Sequence, residues 1–136
     1  MAAPRWGGTE LNYLLDTLTL IELHDLNQLK IIAGHVSIAV LDIVLAEFCP
    51  SCCDLSGMAN HLQLCLVPSE TAWLEPARSY CDGCLSLQDA LNLHYAKLVR
   101  KILITDEPPL QVKCQQEKVQ TQTMLWLMER YSGCKV

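Results

Sequence analysis

The sequence predicts an α+β protein, with helices on both sides of a short, cysteine-rich centre that contains a strand. Three observations carry this prediction: helical apolar spacing before residue 48 and after residue 85, alternation at the start of residues 62–67, and two Cys-x-x-Cys pairs. The chain has 136 residues, enough for one domain, and 51% of them are hydrophobic. This composition is too apolar for a disordered chain.

The N-terminal part predicts two helices. The apolar residues of the first recur at spacings of three and four, at Leu11, Leu14, Leu15, Leu18 and Ile21. A second helical stretch covers about residues 25–48, and Gly34 is a candidate break within it. The first helix either packs on the protein's own core or binds a partner.

The second half also predicts helices. Residues 85–104 return to helical spacing and predict a linker helix with basic residues near its C-terminal end. Residues 106–109, Asp-Glu-Pro-Pro, predict an internal boundary. We expect a short strand over residues 110–113 and a last helix over residues 118–131.

Charge is unevenly distributed along the chain. The formal net charge is −5, and residues 1–68 hold two basic against seven acidic residues. Residues 94–136 hold seven basic against four acidic residues, which can attract an acidic partner. A protein held to nucleic acid by bulk charge would carry the opposite net charge, so a nucleic-acid partner is not expected.

Neither a signal peptide nor a membrane span is expected. The N-terminus lacks an apolar stretch, and the most apolar later run, residues 31–46, is short and contains His35 and Asp42. We therefore expect a cytosolic or nuclear protein, in which thiols stay reduced.

Eight cysteines carry the sharpest signal. Cys49 and Cys52 form one Cys-x-x-Cys pair, Cys81 and Cys84 form another, and 28 residues separate the two pairs. Two such pairs can hold one tetrahedral Zn²⁺, and four thiolates leave no open position for catalysis. The pattern predicts a structural zinc site. A redox pair and incidental cysteines are the alternatives, and Cys53 is left as a spare thiol or alternative ligand.

The sequence carries none of the catalytic motifs considered. It lacks a glycine-rich phosphate loop and a His-Glu-x-x-His motif. Its histidines are scattered, at His24, His35, His61 and His94. We expect a protein that is not an enzyme.

Five pieces of residues 36–136 together resemble the early protein six oncoproteins of papillomaviruses. They are Leu-Asp-Ile-Val-Leu-Ala-Glu-Phe-Cys (41–49), Leu-Cys-Leu-Val (64–67), Cys-Asp-Gly-Cys-Leu (81–85), Pro-Leu-Gln-Val-Lys-Cys (109–114) and Arg-Tyr-Ser-Gly-Cys (130–134). Their order and spacing carry the resemblance. It implies a viral oncoprotein that takes part in host–virus interaction.

The resemblance also implies a domain organisation. Residues 1–35 are a helical extension, 36–84 the first zinc domain, 85–108 the linker helix and 109–136 a degenerate, mostly helical second domain. The fold class is thus α+β, a small domain stabilised by a Cys₄ zinc site. Cys114 and Cys134 correspond to the family's second metal site but lack the neighbouring cysteines, so a second zinc ion is in doubt.

Family members are adaptors that clamp acidic LxxLL helices, a form of helix-in-groove recognition. The partner implied is a HECT ubiquitin ligase or a mastermind-like Notch coactivator, engaged in the host nucleus and cytoplasm to redirect protein degradation or transcription. No PDZ-binding tail is evident. Carried over by position, the peptide-binding residues are Leu64, Cys65, Leu66, Val67, Leu85, Leu91, Lys113 and Arg130.

Two other functions compete with the adaptor. An unrelated intracellular Cys₄ zinc module would use its leucine-rich helices for protein–protein association. A small zinc domain that binds nucleic acid is the third candidate, but the net charge of −5 and the 6% aromatic content argue against it.

Overall fold

Five short strands form one parallel sheet in the computed structural model, which describes residues 12–131. The strands are β1 (Asn12–Leu15), β2 (Ser37–Leu41), β3 (Cys65–Val67), β4 (Ile102–Ile104) and β5 (Thr121–Gln122). Their order across the sheet is β3-β2-β1-β4-β5, and all neighbouring pairs are parallel. Strand β1 is central: its Leu14 lies opposite Ala39 on one side and Leu103 on the other.

Helices connect the strands and cover both faces of the sheet. They are α1 (Thr17–Asp25), α2 (Leu29–Ala33), α3 (Asp42–Phe48), α4 (Leu55–Leu62), α5 (Leu74–Arg78), α6 (Leu87–Val99), α7 (Pro108–Gln116) and α8 (Met124–Tyr131). Helices α1 to α4 contact one another, and α5 to α7 form a second group. Because crossovers between parallel strands are right-handed, the two groups lie on opposite faces.

The core lies where these helices pack on the central strands. Tyr13, Leu14 and Leu15 of β1 are fully buried, and every residue of β2 is buried. Parallel strands covered on both faces have nearly continuous apolar sequences, without the alternation of a half-exposed strand. This explains why the sequence of β1, β2 and β4 resembles that of buried helices.

The predicted α+β fold class was wrong, because the structure is an α/β fold built on a parallel sheet. Residues 12–15, 37–41, 102–104 and 121–122 were expected within helices and are strands. Residues 110–113 were expected as a strand and lie inside α7. The prolines that were interpreted as a boundary occupy the first turn of that helix, where a missing N–H costs nothing.

Other local predictions were confirmed. Strand β3 lies within residues 62–67, and α6 and α8 lie within two of the predicted helices. Gly34 ends α2, as expected of a helix break. These are the segments whose pattern is either clearly alternating or long enough to show helical spacing.

The five strands come from all four of the segments delimited in the sequence. Strand β1 lies in residues 1–35, β2 and β3 in 36–84, β4 in 85–108 and β5 in 109–136. Whether any segment folds alone stays a prediction. None of the helices in the described part of the chain is both long and apolar enough to cross a membrane.

Candidate active site

The carboxyl ends of β1 and β4 define a crevice. The chain leaves β1 toward β2 on one side, whereas β4 continues to β5 on the other side, so the strand order reverses between β1 and β4. Ligands of open α/β sheets bind at such a reversal, outside the carboxyl ends of the strands. Asp16 directly follows β1, and Thr105, Asp106 and Glu107 follow β4.

Asp16 is held in place through both of its carboxylate oxygens. Its side chain is 2% exposed, and Oδ1 accepts a hydrogen bond from the backbone N–H of Thr19 at 2.9 Å, which caps α1. The Thr105 hydroxyl donates to Oδ2. The carboxylate is therefore anchored to the first turn of α1 and to the residue that follows β4.

Asp89 and Glu107 bring two more carboxyl groups to the same place. Ser86 caps α6 by accepting the backbone N–H of Asp89 at 3.1 Å, which puts Asp89 in the first turn. The Glu107 backbone N–H donates to Thr105 Oγ1 at 3.1 Å. Burial, and next the negative charges of Glu107 and Asp16, raise the pKa of Asp89 to about 6.

A fourth carboxylate completes the acidic cleft. This cavity of about 460 Å³ is lined by the carboxylates of Asp16, Glu47, Asp89 and Glu107. Its remaining lining residues are Thr17, Leu18, Ile21, Cys84, Ser86 and Gln88. None of the lining residues is basic, so the acidic cleft has a negative potential that favours a bound cation.

A buried thiol lies within the electrostatic influence of Asp89. Cys114 of α7 is fully buried, and burial, followed by the charge of Asp89, raises the pKa of its thiol to about 12. The thiol therefore stays neutral. Helix α7, which carries this thiol, packs against α6, the helix that carries Asp89.

The predicted Cys₄ zinc site is not assembled, and the zinc prediction was wrong. Within residues 12–131, no three His, Cys, Asp or Glu side chains are arranged as a metal-binding group. Cys49, Cys52, Cys81 and Cys84 are free thiols. Cys52 Sγ donates to the backbone oxygen of Asp54 at 3.2 Å, and Cys81 Sγ donates to that of Ala77 at 3.7 Å.

The other predicted metal ligands do not form a second site in the part of the chain that the structure describes. Cys114 is buried in the core, and Cys134 lies outside the described residues. The core of the parallel sheet supplies the stability that a structural zinc was expected to supply.

The predicted peptide-binding residues are dispersed. Leu64, Leu85 and Leu91 belong to the buried core, whereas Cys65, Leu66 and Val67 form the edge strand β3. Lys113 pairs with Asp82 at 3.4 Å. Arg130 lies 5.4 Å from the centre of the Trp126 ring and donates to Tyr131 Oη at 3.1 Å. A binding role for these eight residues stays a prediction.

Sequence reasoning missed all four carboxylates of the acidic cleft. The usable signal was an apolar run that ends in a polar or acidic residue. Tyr-Leu-Leu-Asp at 13–16 and Leu-Ile-Thr-Asp-Glu at 103–107 both have this form. It becomes visible only when the runs are interpreted as strands, because the carboxyl ends of parallel strands share one edge.

No protein-family model and no curated protein matches the sequence. Three solved structures match the fold. PAE2754 from Pyrobaculum aerophilum has a TM-score of 0.64 at 19% identity, covering 91% of each chain. A PilT N-terminus domain protein, SSO1118 from Sulfolobus solfataricus, has a TM-score of 0.61 at 11% identity, covering 88% of this chain and 92% of its own.

VapBC2 from Rickettsia felis, solved bound to a DNA fragment from its promoter, has a TM-score of 0.54 at 16% identity. The match covers 83% of this chain and 98% of the other. At such identities the likeness shows the fold alone. The chain thus has the fold of PilT N-terminus (PIN) domains.

This fold overturns the resemblance to the papillomavirus proteins. The viral adaptor function, its place in ubiquitin and Notch pathways, and the LxxLL-bearing host partner rested on that resemblance and were wrong. The expectation of a protein without enzymatic activity was overturned as well, because it relied on an adaptor fold that this chain does not have. Short cysteine and leucine motifs matched a family whose fold the chain does not share.

Proposed function

We propose that this protein is a metal-dependent nuclease whose active site is the acidic cleft. The observation that carries the proposal is the convergence of four carboxylates, with no basic residue in the lining, at the strand-order reversal of a parallel sheet. Nuclease activity is typical of proteins with this fold, and divalent Mg²⁺ or Mn²⁺ is their usual metal.

The donor set of the acidic cleft fits such a cation. Carboxylate oxygens are the ligands that Mg²⁺ and Mn²⁺ prefer. Burial first, and then the negative charges of Glu107 and Asp16, raise the pKa of Asp89, so a bound cation would stabilise the charged form of this carboxyl group. As they stand in residues 12–131, these carboxylates do not form a metal-binding group. Asp16, Asp89 and Glu107 would therefore have to move closer together to hold the metal, and the exposed Glu47 near the end of α3, which also lines the cleft, would contribute a further oxygen.

A divalent cation bound there polarises a phosphoryl oxygen and lowers the pKa of bound water. The chain's own residues orient the site. Thr19 and Thr105 each bind one oxygen of Asp16, so this carboxylate cannot rotate freely. In the metal-free protein a carboxyl group with a pKa of about 6, as in Asp89, exchanges its proton near neutral pH, so it can release that proton when a cation binds.

Cleavage of a labelled single-stranded RNA in MgCl₂ tests the proposal. We expect Asp16→Asn and Asp89→Asn each to reduce the rate by roughly a hundredfold or more, since each removes a charge that positions the cation. Asp25→Asn is the matched control: it neutralises an exposed aspartate of α1 outside the acidic cleft and should leave cleavage unchanged.

Metal binding has its own measurement. Mg²⁺ or Mn²⁺ should raise the melting temperature of the wild-type protein and leave that of Asp16→Asn unchanged. At a free metal concentration of one hundred times Kd, binding should increase the free energy of unfolding of the wild type by about 2.7 kcal/mol. RNA cleavage that persists in EDTA, or equal metal stabilisation in both proteins, would contradict the proposal.

A further inference from the structure

A second charged cavity lies at the other edge of the sheet. This basic groove, of about 590 Å³, is lined by the side chains of Lys97, Arg100, Lys101, Gln116, Lys118 and Gln120, among others. Lys101 directly precedes β4, and Gln120 directly precedes β5. The basic groove is therefore at the amino-terminal edge of the strands, whereas the acidic cleft is at their carboxyl edge.

Two helices end side by side at the basic groove in the same conformation. The Lys101 N–H donates to Ala96 O at 3.0 Å, and the Val119 N–H donates to Cys114 O at 2.8 Å. Both are bonds of the Schellman type, which require a left-handed residue in between. Those residues are Arg100, with φ of 58°, and Lys118, with φ of 61°. Glycine is the usual residue at this left-handed position because it adopts a positive φ with little strain. Both turns instead have a basic residue there.

The charges of the basic groove are poorly compensated. Among its lining residues are four cations and a single acid, Glu117, which pairs with Lys97 at 2.8 Å. No salt bridge within residues 12–131 engages Arg100, Lys101 or Lys118. In a chain with a net charge of −5, this concentration of positive charge creates a local field that attracts polyanions.

We propose that the basic groove binds the phosphate backbone of single-stranded nucleic acid away from the cleavage site, a proposal that rests on the proposed nuclease function for the substrate class. Lys and Arg side chains bind phosphates without reading base sequence. Helix α6 has 13 residues, about 20 Å, and leads from Asp89 at the acidic cleft to Arg100 at the basic groove, so the proposed phosphate contacts are remote from the cleavage site. The amides of Gln116 and Gln120 add neutral donors beside the cations.

The test is the double variant Arg100→Gly with Lys118→Gly. Binding of a fluorescent single-stranded RNA, measured by anisotropy in EDTA to prevent turnover, should weaken by about tenfold. The slope of log affinity against log salt should become shallower by about 1.4, since each phosphate contact on a single strand contributes about 0.7. The melting temperature should rise, because glycine relieves the left-handed conformation, so lost binding cannot reflect unfolding.

Gln63→Gly is the matched control. Gln63 has φ of 61° in the same kind of turn, with the Leu64 N–H donating to Ala59 O at 2.8 Å, and it precedes β3 outside the basic groove. This variant should also melt at a higher temperature, but its affinity for RNA and the salt slope should match those of the wild type.

Unchanged affinity and salt slope in the double variant would overturn the proposal. Tighter binding of polyglutamate than of RNA would overturn it too, in favour of an acidic protein partner. Asp16→Asn separates the two proposals, since it should lose cleavage and keep RNA binding in EDTA. If the wild type cleaves no RNA but the double variant still loses binding, the nuclease proposal fails and the basic groove stands.

Discussion

Asp89 separates the acidic cleft from an ordinary acidic surface. Its carboxyl group is partly desolvated and faces Glu107 and Asp16, and both influences disfavour the charged form. Perturbed carboxyl groups of this kind cluster at functional sites. In the sequence, Asp89 is only an acidic residue near the start of a predicted helix. Acidic residues are common at that position because they interact favourably with the helix dipole, so the sequence gives no reason to assign Asp89 a function.

The raised pKa of Asp89 predicts how stability depends on pH. Between the ordinary pKa of an aspartate, 3.8, and the raised pKa of about 6, the folded protein binds a proton that the unfolded chain releases. The free energy of unfolding of the metal-free protein should therefore decrease as pH rises from about 4 to 6. Urea unfolding of the wild type and of Asp89→Asn at a series of pH values gives the free energy of unfolding of each protein against pH. The difference between the two curves measures the contribution of Asp89.

The same group links metal binding to pH. Because a proton and a divalent cation compete for Asp89, stabilisation by MgCl₂ should be small at pH 5 and increase through pH 6. The stabilisation by MgCl₂ is measured against pH for the wild type and for Asp89→Asn. The same pH dependence in both proteins would show that Asp89 does not link metal binding to pH.

At the scale of the element, helix α6 links the core to the acidic cleft. Ala90, Leu93 and Ala96 are buried along it, while Ser86 caps its N-terminus and Asp89 faces the cleft. The cap was visible in the sequence as a serine followed three residues later by an acid. The position of α6 against β4 and α7 was not visible, because it depends on contacts distant in sequence.

Ser86→Ala tests this linkage. Losing the cap should reduce the free energy of unfolding by about 1 kcal/mol and lower nuclease activity as well, since the first turn positions Asp89. Ser56→Ala is the comparison: Ser56 is an exposed residue in the first turn of α4, whose capping residue is Asp54. Urea unfolding and cleavage rates should change in the first variant only, and equal effects would refute the linkage.

At the scale of the whole molecule, the parallel sheet replaces the metal core that the cysteines indicated. Tyr13, Leu14 and Leu15 of the central strand are fully buried, whereas Cys81 and Cys84 are exposed. Clustered Cys-x-x-Cys pairs are strong evidence for zinc only when the fold brings the pairs together. In this fold they lie on separate loops beyond α3 and α5.

Cysteine substitutions should therefore have little effect on the fold. We expect Cys52→Ser and Cys81→Ser to change the free energy of unfolding by no more than about 0.5 kcal/mol, as surface substitutions do. Leu14→Ala, in the centre of the sheet, should cost about 2–5 kcal/mol. Thermal unfolding measures all three, and loss of folding in either serine variant would restore a structural role for the thiols.

The sequence by itself determined local features: the caps and spacing of α6, the helical pattern of α8, the alternation that marks β3, and the uneven distribution of charge. These depend on residues within a few positions of one another, so a local pattern is sufficient to predict them. The basic C-terminal third was visible too, although its arrangement around one groove was not.

Only the tertiary structure decided the fold class and the site. The largely buried strands β1, β2 and β4, of three to five residues, have no period that distinguishes them from helices. The acidic cleft joins residues as distant as Asp16 and Glu107, which meet because parallel pairing places the ends of β1 and β4 side by side. The interaction among these carboxylates arises from that pairing, so no local motif records it.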